Sequence, residues 1–243
     1  MKDKKNKTYL NHEFLGELVF PSSALGDIRY ISGRQKPYYE TFKLFEKRIS
    51  DGCVFYDIGA HFGCISLQFL NLMQEKEYSG KLRSFEVNPI VFECLEENLK
   101  RNPSKNIQIK TYHRAISNID NTKIDYNIPN PLTGEVWCSY GSFGIENGGP
   151  RSDKYTSVDT MSIDSIKEKV DIIKLDVEGY EKKVLLGMSE TLKEYKPLLI
   201  IELNNNSEKD RGFILKYLRD NNYKAIARNT KEDYLFSHKD YTL

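Results

Sequence analysis

Carboxylate side chains follow three strand-like segments of the sequence, at the point where each segment ends. Asp57 comes directly after the apolar run 53–56, Glu86 closes a second segment, and Asp176 closes a third. The carboxyl ends of parallel strands meet at one edge of an open α/β sheet, and ligands bind in the crevice outside that edge. The spacing therefore predicts a ligand site that is lined with acids.

The turn after the first of these segments, residues 57–63 (DIGAHFG), narrows the class of ligand. A phosphate-binding Walker loop requires a lysine that this turn lacks. A dinucleotide fingerprint requires GxGxxG, whereas Gly59 and Gly63 lie four residues apart without a middle glycine. Asp57 would also place a negative charge where a pyrophosphate binds. The turn favours a ligand that has a positive group and no phosphate.

S-adenosylmethionine has this chemistry, because its ammonium and sulfonium groups are cationic and its carboxylate can meet a helix N-terminus. An acid at the end of the second strand, here Glu86, accepts hydrogen bonds from both ribose hydroxyls in such folds. The predicted cofactor contacts at these strand ends are Asp57, Gly59, Ala60, His61, Gly63, Glu86, Val87, Asn88 and Asp176.

Methyl transfer to oxygen requires an in-line approach and a group that takes the hydroxyl proton. Asp176, near the end of the strand predicted at 170–177, is the preferred base. Glu178 on the following turn is the second candidate. Lys174 shares a face with Asp176 by strand alternation and is a third candidate, with an ion pair as its structural alternative. A contact to the helix start is the alternative for Glu178. His61 is a rival base because its ordinary pKa lies near neutrality.

Oxygen ligands at adjacent strand ends raise the question of a metal ion. Asp176, Glu202 and Asn204 could gather there, and hard oxygen ligands suit magnesium. Nothing in the spacing requires an ion, so we expect none, and these three residues are the candidates if one is present.

The hydrophobic pattern predicts the elements that position these residues. Strand-like and helix-like segments alternate, which gives a mostly parallel sheet with helices on both faces. An insertion at 118–160, which holds Trp137, is predicted on the substrate side, as a lid or alternatively an extra hairpin. A cap segment, residues 1–37, precedes a main domain of residues 38–243. Strands are predicted at 17–20, 28–32, 54–58, 81–87, 107–116, 170–177, 198–203, 225–228 and 233–237, and helices at 37–50, 65–74, 88–100, 181–188 and 208–221.

Composition sets the cellular context. The 243 residues carry a formal net charge of +1, so no overall field favours nucleic acid or a membrane surface. No apolar run approaches the roughly 20 residues of a membrane helix, and the N-terminus has no signal-peptide core. The four cysteines form no CxxC pair, which disfavours zinc and disulfide frameworks. These features predict a cytoplasmic protein without membrane insertion.

Four stretches of the sequence form a recognisable set: VFYDIGAHFG, FEVNPIVFECLEENLKRN, IIKLDVEGYEKKVLLG and IIEL. Together they resemble the FkbM family of S-adenosylmethionine-dependent methyltransferases, and the likeness runs from about residue 38 to about residue 204. The resemblance implies a Rossmann-like class I methyltransferase fold with a seven-stranded sheet. It also implies that Arg114 and Ala115 lie near the adenine, and that the reaction methylates a hydroxyl of a sugar, glycan or polyketide-like natural product.

The sequence disfavours other classes of function. It lacks the glycine pattern of an NAD-type oxidoreductase. A non-catalytic binding protein would not need Asp57, Glu86, Asp176 and Glu178 together. A nucleic-acid methyltransferase would need a basic aromatic surface. The expected partner is a small-molecule or glycan acceptor, and the sequence makes no prediction of oligomeric state.

Overall fold

The structure is a computed structural model that describes residues 7–127, 155–203, 208–229 and 233–241. Its strands are β1 (Lys7–His12), β2 (Gly16–Pro21), β3 (Val54–Ile58), β4 (Gly80–Glu86), β5 (Ile107–His113), β6 (Ala115–Ile116), β7 (Lys123–Asn127), β8 (Tyr155–Met161), β9 (Ile172–Leu175), β10 (Leu198–Glu202), β11 (Tyr223–Arg228) and β12 (Asp233–His238). Its helices are α1 (Leu25–Ser32), α2 (Tyr39–Phe42), α3 (Cys64–Glu75), α4 (Pro89–Arg101), α5 (Glu181–Leu186), α6 (Ser189–Glu194) and α7 (Glu208–Asp220).

A seven-stranded sheet in the order β11-β12-β10-β9-β3-β4-β5 forms the centre of the molecule. Strands β5, β4, β3, β9 and β10 run parallel, whereas β12 pairs antiparallel with β10 and with β11. The chain order reverses between β3 and β9, which is the topological switch point where open α/β sheets bind ligands. The predicted Rossmann-like methyltransferase fold is confirmed.

Side-chain alternation along the central strands builds a hydrophobic core on each face of the sheet. Phe55 packs on the side of α3 and α4, and the next residue, Tyr56, packs on the side of α5 and α7. All five residues of β3 and all four of β9 are buried, as expected for strands covered on both faces. The sheet is therefore rigid beneath the strand ends that carry the candidate site.

The β1–β2 hairpin supports α4 and the predicted cofactor turn. The buried Asn98 of α4 accepts a hydrogen bond from Val19 N at 2.5 Å and donates to the carbonyls of Val19 and Phe62, at 3.2 and 2.9 Å. The rings of Phe20 and Phe62 lie 5.0 Å apart, edge to face. The hairpin thus packs against the turn at Phe62 and, together with Asn98, fixes its position.

Two predictions about the N-terminal third were wrong in detail. The predicted strand at 28–32 is part of helix α1, in which the buried residues Asp27 and Ile31 recur at helical spacing. Its β-branched and aromatic composition had suggested a strand. The predicted helix at 37–50 is reduced to α2 and a short 3-10 turn at Glu46–Arg48.

Two predicted strands are shorter than expected. The strand predicted at 107–116 divides into β5 and β6, which belong to different sheets and flank Arg114. The strand predicted at 170–177 is confined to β9, so Asp176 follows the strand directly. Asp176 consequently belongs to the loop above the sheet edge.

The flanks of the predicted insertion form a small sheet in the order β6-β8-β7. Strands β7 and β8 are antiparallel arms, whereas residues 128–154, which include Trp137, lie outside the described residues. Both the predicted role of the insertion and the domain boundary at residue 37 stay predictions. Across the ranges that the structure describes, no helix is long and apolar enough to cross a bilayer.

Candidate active site

The turn between β3 and α3 is hydrogen-bonded to the end of β4. The amides of Gly59 and Ala60 both donate to the carbonyl of Phe85, at 3.0 and 2.9 Å. Gly59 has a φ of +74°, and a Cβ at this position would overlap the carbonyl oxygen of Asp176. Only glycine combines this backbone conformation with this close approach. The turn and the loop after β9 are therefore in direct backbone contact.

Glu86 organises the turn through both of its carboxylate oxygens. Oε2 accepts a hydrogen bond from the amide of His61 at 2.9 Å, and Oε1 accepts from the amide of Asn88 at 2.8 Å. Burial raises the pKa of Glu86, and these two hydrogen bonds oppose the rise. Each oxygen keeps a second lone pair for a ligand. Asn88 caps α4 through Oδ1, with Pro89 at the first helical position, as predicted.

Asp57 lies beneath the turn rather than on its surface. Its side chain has no exposed area, and its Oδ2 accepts a hydrogen bond from Ser66 Oγ at 2.6 Å. Burial raises the pKa of Asp57, while the Lys174 ammonium, 3.7 Å from Oδ1, lowers it. Asp57 therefore fixes Lys174 and the first turn of α3, and its predicted cofactor contact stays a prediction.

Lys174 connects the turn after β3 with the loop after β9. Its ammonium lies 3.2 Å from Asp176 Oδ2 and donates to the carbonyl of Gly59 at 2.8 Å. Burial by itself would lower the pKa of Lys174, but Asp176 and Asp57 raise it well above its ordinary value. The side chain thus stays cationic, and the ion pair that was the alternative for Lys174 is present.

Three carboxylates gather at the ends of β9 and β10. One oxygen from each of Asp176, Glu178 and Glu202 lies within 4.8 Å of the others. Burial, together with the neighbouring Asp176, raises the pKa of Glu202 to about 10. Burial opposes ionisation of Asp176 as well, but Lys174 and a hydrogen bond with Glu202 lower its pKa. The pKa directions of the two groups are opposite, which favours a proton on Glu202 beside an ionised Asp176.

Among the residues that the structure describes, the same three carboxylates could hold a metal ion. Their oxygens suit a hard cation such as magnesium. Of the predicted ligand set, Asp176 and Glu202 are brought together, whereas Asn204 lies outside the described residues. Glu178 supplies the third oxygen instead.

Sequence reasoning missed Glu181, a buried acid that shapes the turn after β9. Its Oε1 accepts hydrogen bonds from the amides of Val177 and Gly179, at 2.9 and 3.3 Å. Glu178 itself has a left-handed backbone with a φ of +55°. Glu181 thus stabilises the turn that leads into α5, and the contact to the helix start that was the alternative for Glu178 stays a prediction. The signal for Glu181 was the acid that follows Gly-Tyr in the stretch KLDVEGYE.

Thr41 and Asp233 were also missed. Thr41 Oγ1 donates to Asp233 Oδ2 at 2.5 Å, and Asp233 is the antiparallel partner of Glu202. Burial raises the pKa of Asp233, and Thr41 and Asn229 oppose the rise through hydrogen bonds. These residues are 192 positions apart in the sequence, so no local pattern could join them.

The predicted adenine side lies at the end of β5. Arg114 is exposed and donates to the carbonyl of His113 at 2.8 Å, while Ala115 is buried in β6. The ring of His113 stacks on Phe92 at 5.0 Å and pairs through Nε2 with the carbonyl of Val87 at 2.9 Å. The cofactor contacts of Arg114, Ala115 and Val87 stay predictions.

Comparison with known proteins adds to this geometry. The Methyltransferase FkbM domain family matches residues 57–225, which is more than half of the chain. The chain belongs to the FkbM methyltransferase family. The matched residues begin at Asp57 and contain the glycine turn, Glu86 and the three carboxylates.

Two relatives illustrate the similarity. The chain is 27% identical over 180 residues to the hexuronic acid methyltransferase AglP of Haloferax volcanii, covering 73% of this chain and 65% of that protein. The crystal structure of the methyltransferase FkbM from Methylobacillus flagellatus KT superposes with a TM-score of 0.56 at 19% identity, covering 88% of this chain and 53% of the other. The chain thus spans less than two thirds of each relative, and the structural likeness concerns the fold.

The residues present fit S-adenosylmethionine. Two buried polar atoms near the carboxyl ends of β3 and β4 lack a hydrogen-bond partner within the described chain: His61 Nε2 and Asn88 Nδ2. Unpaired buried groups cost about 1–3 kcal/mol each, so they are the atoms that a polar ligand or water satisfies. The glycine turn and the spare lone pairs of Glu86 lie in the same segments. Together they offer donors and acceptors to an amino acid and a ribose.

Proposed function

We propose that the protein catalyses the S-adenosylmethionine-dependent O-methylation of a sugar hydroxyl, on a hexuronic acid or a glycan that contains one. The observation that carries the proposal is the carboxylate cluster of Asp176, Glu178 and Glu202 beside the glycine turn. Lys174 connects the two, because it pairs with Asp176 and donates to the carbonyl of Gly59. Membership of the FkbM family supports methyl transfer. The printed activity of AglP supports the class of acceptor.

In this proposal the bound cofactor supplies an electrophilic methyl group on a sulfonium. Glu86 accepts hydrogen bonds from the ribose, and its contacts with the amides of His61 and Asn88 fix the direction of its oxygens. Asp57 lies under the turn, where it fixes Lys174 and, through Ser66, the first turn of α3. The main task of the turn is orientation, which is worth up to about 7–11 kcal/mol in the best cases.

Asp176 is the proposed acceptor of the hydroxyl proton. Lys174 keeps its carboxylate ionised and fixes one oxygen at 3.2 Å, while a third of the side chain remains exposed to a ligand. The lowered pKa makes Asp176 a weak base, so the proton moves to it as positive charge develops on the attacking oxygen. Glu178 remains the second candidate, and His61 would follow if both were excluded.

The test is turnover of Asp176→Asn with S-adenosylmethionine and methyl β-D-glucuronide, followed by mass spectrometry of the methylated product. We expect kcat to fall by about 10²–10⁴, because a positioned base contributes that factor. Affinity for S-adenosylhomocysteine should change little, since the amide is nearly isosteric. Glu178→Gln serves as the parallel variant. Near-normal turnover of Asp176→Asn would exclude Asp176 as the base.

A chelator separates the base from a metal site at the same residues. If the cluster acts through protons alone, EDTA leaves the turnover of the wild-type protein unchanged. Loss of activity in EDTA that is restored by magnesium would assign the cluster to metal binding instead.

A further inference from the structure

A groove of about 590 Å³ lies along the edge strand β5 of the central sheet. Its floor is formed by β4 and β5, in which Lys81 pairs in register with Gln108, and Arg83 with Lys110. These side chains share the face of Phe85, which packs on the α5 and α7 side of the sheet. Because Lys81 and Arg83 belong to the first half of β4, the groove lies below the sheet edge that carries the candidate active site.

The charged residues that line this groove, here called the cationic groove, are Lys81, Arg83, Lys110, Lys167 and Glu168. Four cations thus face one carboxylate, although the whole chain has a formal net charge of only +1. Arg83 and Lys110 are direct cross-strand partners, an arrangement that destabilises a sheet when the charges are alike. A cleft lined by charges of one sign attracts ligands of the opposite sign. The cationic groove is therefore suited to an anion.

The carboxylate of Glu168 is bound to the floor of the cationic groove. Its two oxygens accept hydrogen bonds from Nε and Nη2 of Arg83, at 2.9 Å each, and Oε1 also accepts from Lys81 at 2.8 Å. Arg83 is buried, and its other N–H groups donate to Gln108 and to the carbonyl of Leu82. Arg83 and Glu168 thus satisfy each other and make the floor rigid. The cations that remain for a ligand are those of the rim.

Lys110 and Lys167 form this rim. Both residues are exposed, and in the part of the chain that the structure describes neither forms an ion pair with a carboxylate. The ammonium of Lys110 lies 4.8 Å from the centre of the Tyr112 ring. Lys110 comes from β5, whereas Lys167 comes from the loop before β9, so the two charges stand on different walls. Cations that are spread in this way suit a ligand whose anionic groups are spread along its length.

We propose that the cationic groove is a second binding site, separate from the methyl-transfer site, and that its ligand is a polyanion with two or more carboxylate or phosphate groups. Its volume lies within the range of ligand sites, about 300–1,000 Å³. The lysine ammonium is a compact point charge that pairs with either kind of oxyanion. The chemistry that the groove selects is therefore several oxyanions on one molecule.

Calorimetric titration of the wild-type protein with trigalacturonate, and separately with inorganic tripolyphosphate, tests the proposal and distinguishes the two sources of oxyanion. We expect saturable binding of at least one of them, and the tighter ligand identifies the source. Maltotriose, which has no charge, should not compete with either. Raising the NaCl concentration from about 50 to about 500 mM should weaken binding, because salt screens exposed charges. Saturation with S-adenosylhomocysteine should leave the affinity unchanged, since the two sites are separate.

A double variant with Lys110→Gln and Lys167→Gln removes the two rim charges and leaves the bonds between Arg83 and Glu168 in place. Its affinity for the polyanion should fall by roughly fivefold to tenfold, because each exposed ion pair contributes less than tenfold by itself. The matched control is a double variant with Lys100→Gln and Lys209→Gln, which removes the same charge from exposed positions of α4 and α7. The control should bind the polyanion as the wild-type protein does, and both double variants should keep the wild-type affinity for S-adenosylhomocysteine.

Three results would each overturn the second site: no saturable binding of either polyanion by the wild-type protein, wild-type affinity in the rim variant, or equal losses in the rim variant and its control. Competition between the polyanion and S-adenosylhomocysteine would overturn it as well, because the polyanion would then occupy the methyl-transfer site. None of these measurements requires methyl transfer, so the second site and the proposed function are tested separately.

Discussion

Replacement of Lys174 by methionine tests the electrostatic arrangement beneath the site. Methionine fills a similar volume but leaves Asp57, which has no exposed area, and Asp176 without their shared cation. Removing one partner of a buried ion pair costs about 3–5 kcal/mol, because the remaining charge stays buried and uncompensated. We expect the free energy of unfolding of Lys174→Met to fall by about this amount at pH 8, a large fraction of the roughly 5–15 kcal/mol that holds a domain together.

The assay is urea unfolding followed by far-ultraviolet circular dichroism, with Lys182→Met as the matched control. Lys182 pairs with Asp210 at 2.8 Å, and both side chains are 31% exposed, so its loss should cost at most about 1 kcal/mol. The deficit of Lys174→Met should shrink toward pH 5, because Asp57, whose pKa burial already raises, can then take up a proton. Adding Asp57→Asn should restore part of the lost stability. Equal effects of Lys174→Met and Lys182→Met would refute the reasoning.

Two further predictions concern the acids at the neighbouring strand ends. Glu86→Gln should weaken binding of S-adenosylhomocysteine by at least tenfold in calorimetry, since charge-assisted hydrogen bonds contribute about 1.5–3 kcal/mol each, and unchanged affinity would remove Glu86 from the cofactor site. Glu202 has its pKa raised from 4.5 to about 10, so the folded protein holds a proton there that the unfolded chain loses, and stability falls as pH rises through that window. Glu202→Gln should therefore stabilise the protein against urea at pH 8 and much less at pH 5; an equal effect at both pH values would contradict the assignment.

The central fold was predictable from the sequence because its signals are local. The run 54–58 is apolar throughout and forms a strand in which every residue is buried. Asn88 and Pro89 predict the start of α4, and the side chain of Asn88 accepts from the amides of Ile90 and Val91. In contrast, residues 28–32 have strand-like composition but lie in helix α1, whose buried residues Asp27 and Ile31 are four positions apart, as on one face of a helix.

The candidate site was predictable only where strand order brings residues together. Asp57 and Lys174 are register partners in the adjacent strands β3 and β9, so the parallel order places their side chains within reach of each other. The contact between Thr41 and Asp233 joins distant parts of the chain without any shared pattern. The hydrogen bond from Ser66 to Asp57 likewise depends on how α3 packs above the sheet. Contacts of this kind follow from tertiary packing rather than from spacing.

Calorimetric titration of the wild-type protein with S-adenosylhomocysteine, and separately with NADH, tests the central claim most directly. The glycine turn, the buried Asp57 beneath it and the acid at the end of β4 predict saturable binding of S-adenosylhomocysteine and none of NADH. The Asp176→Asn variant should bind S-adenosylhomocysteine as the wild-type protein does, but it should lose methyl transfer to methyl β-D-glucuronide. Binding of NADH without binding of S-adenosylhomocysteine would contradict the account.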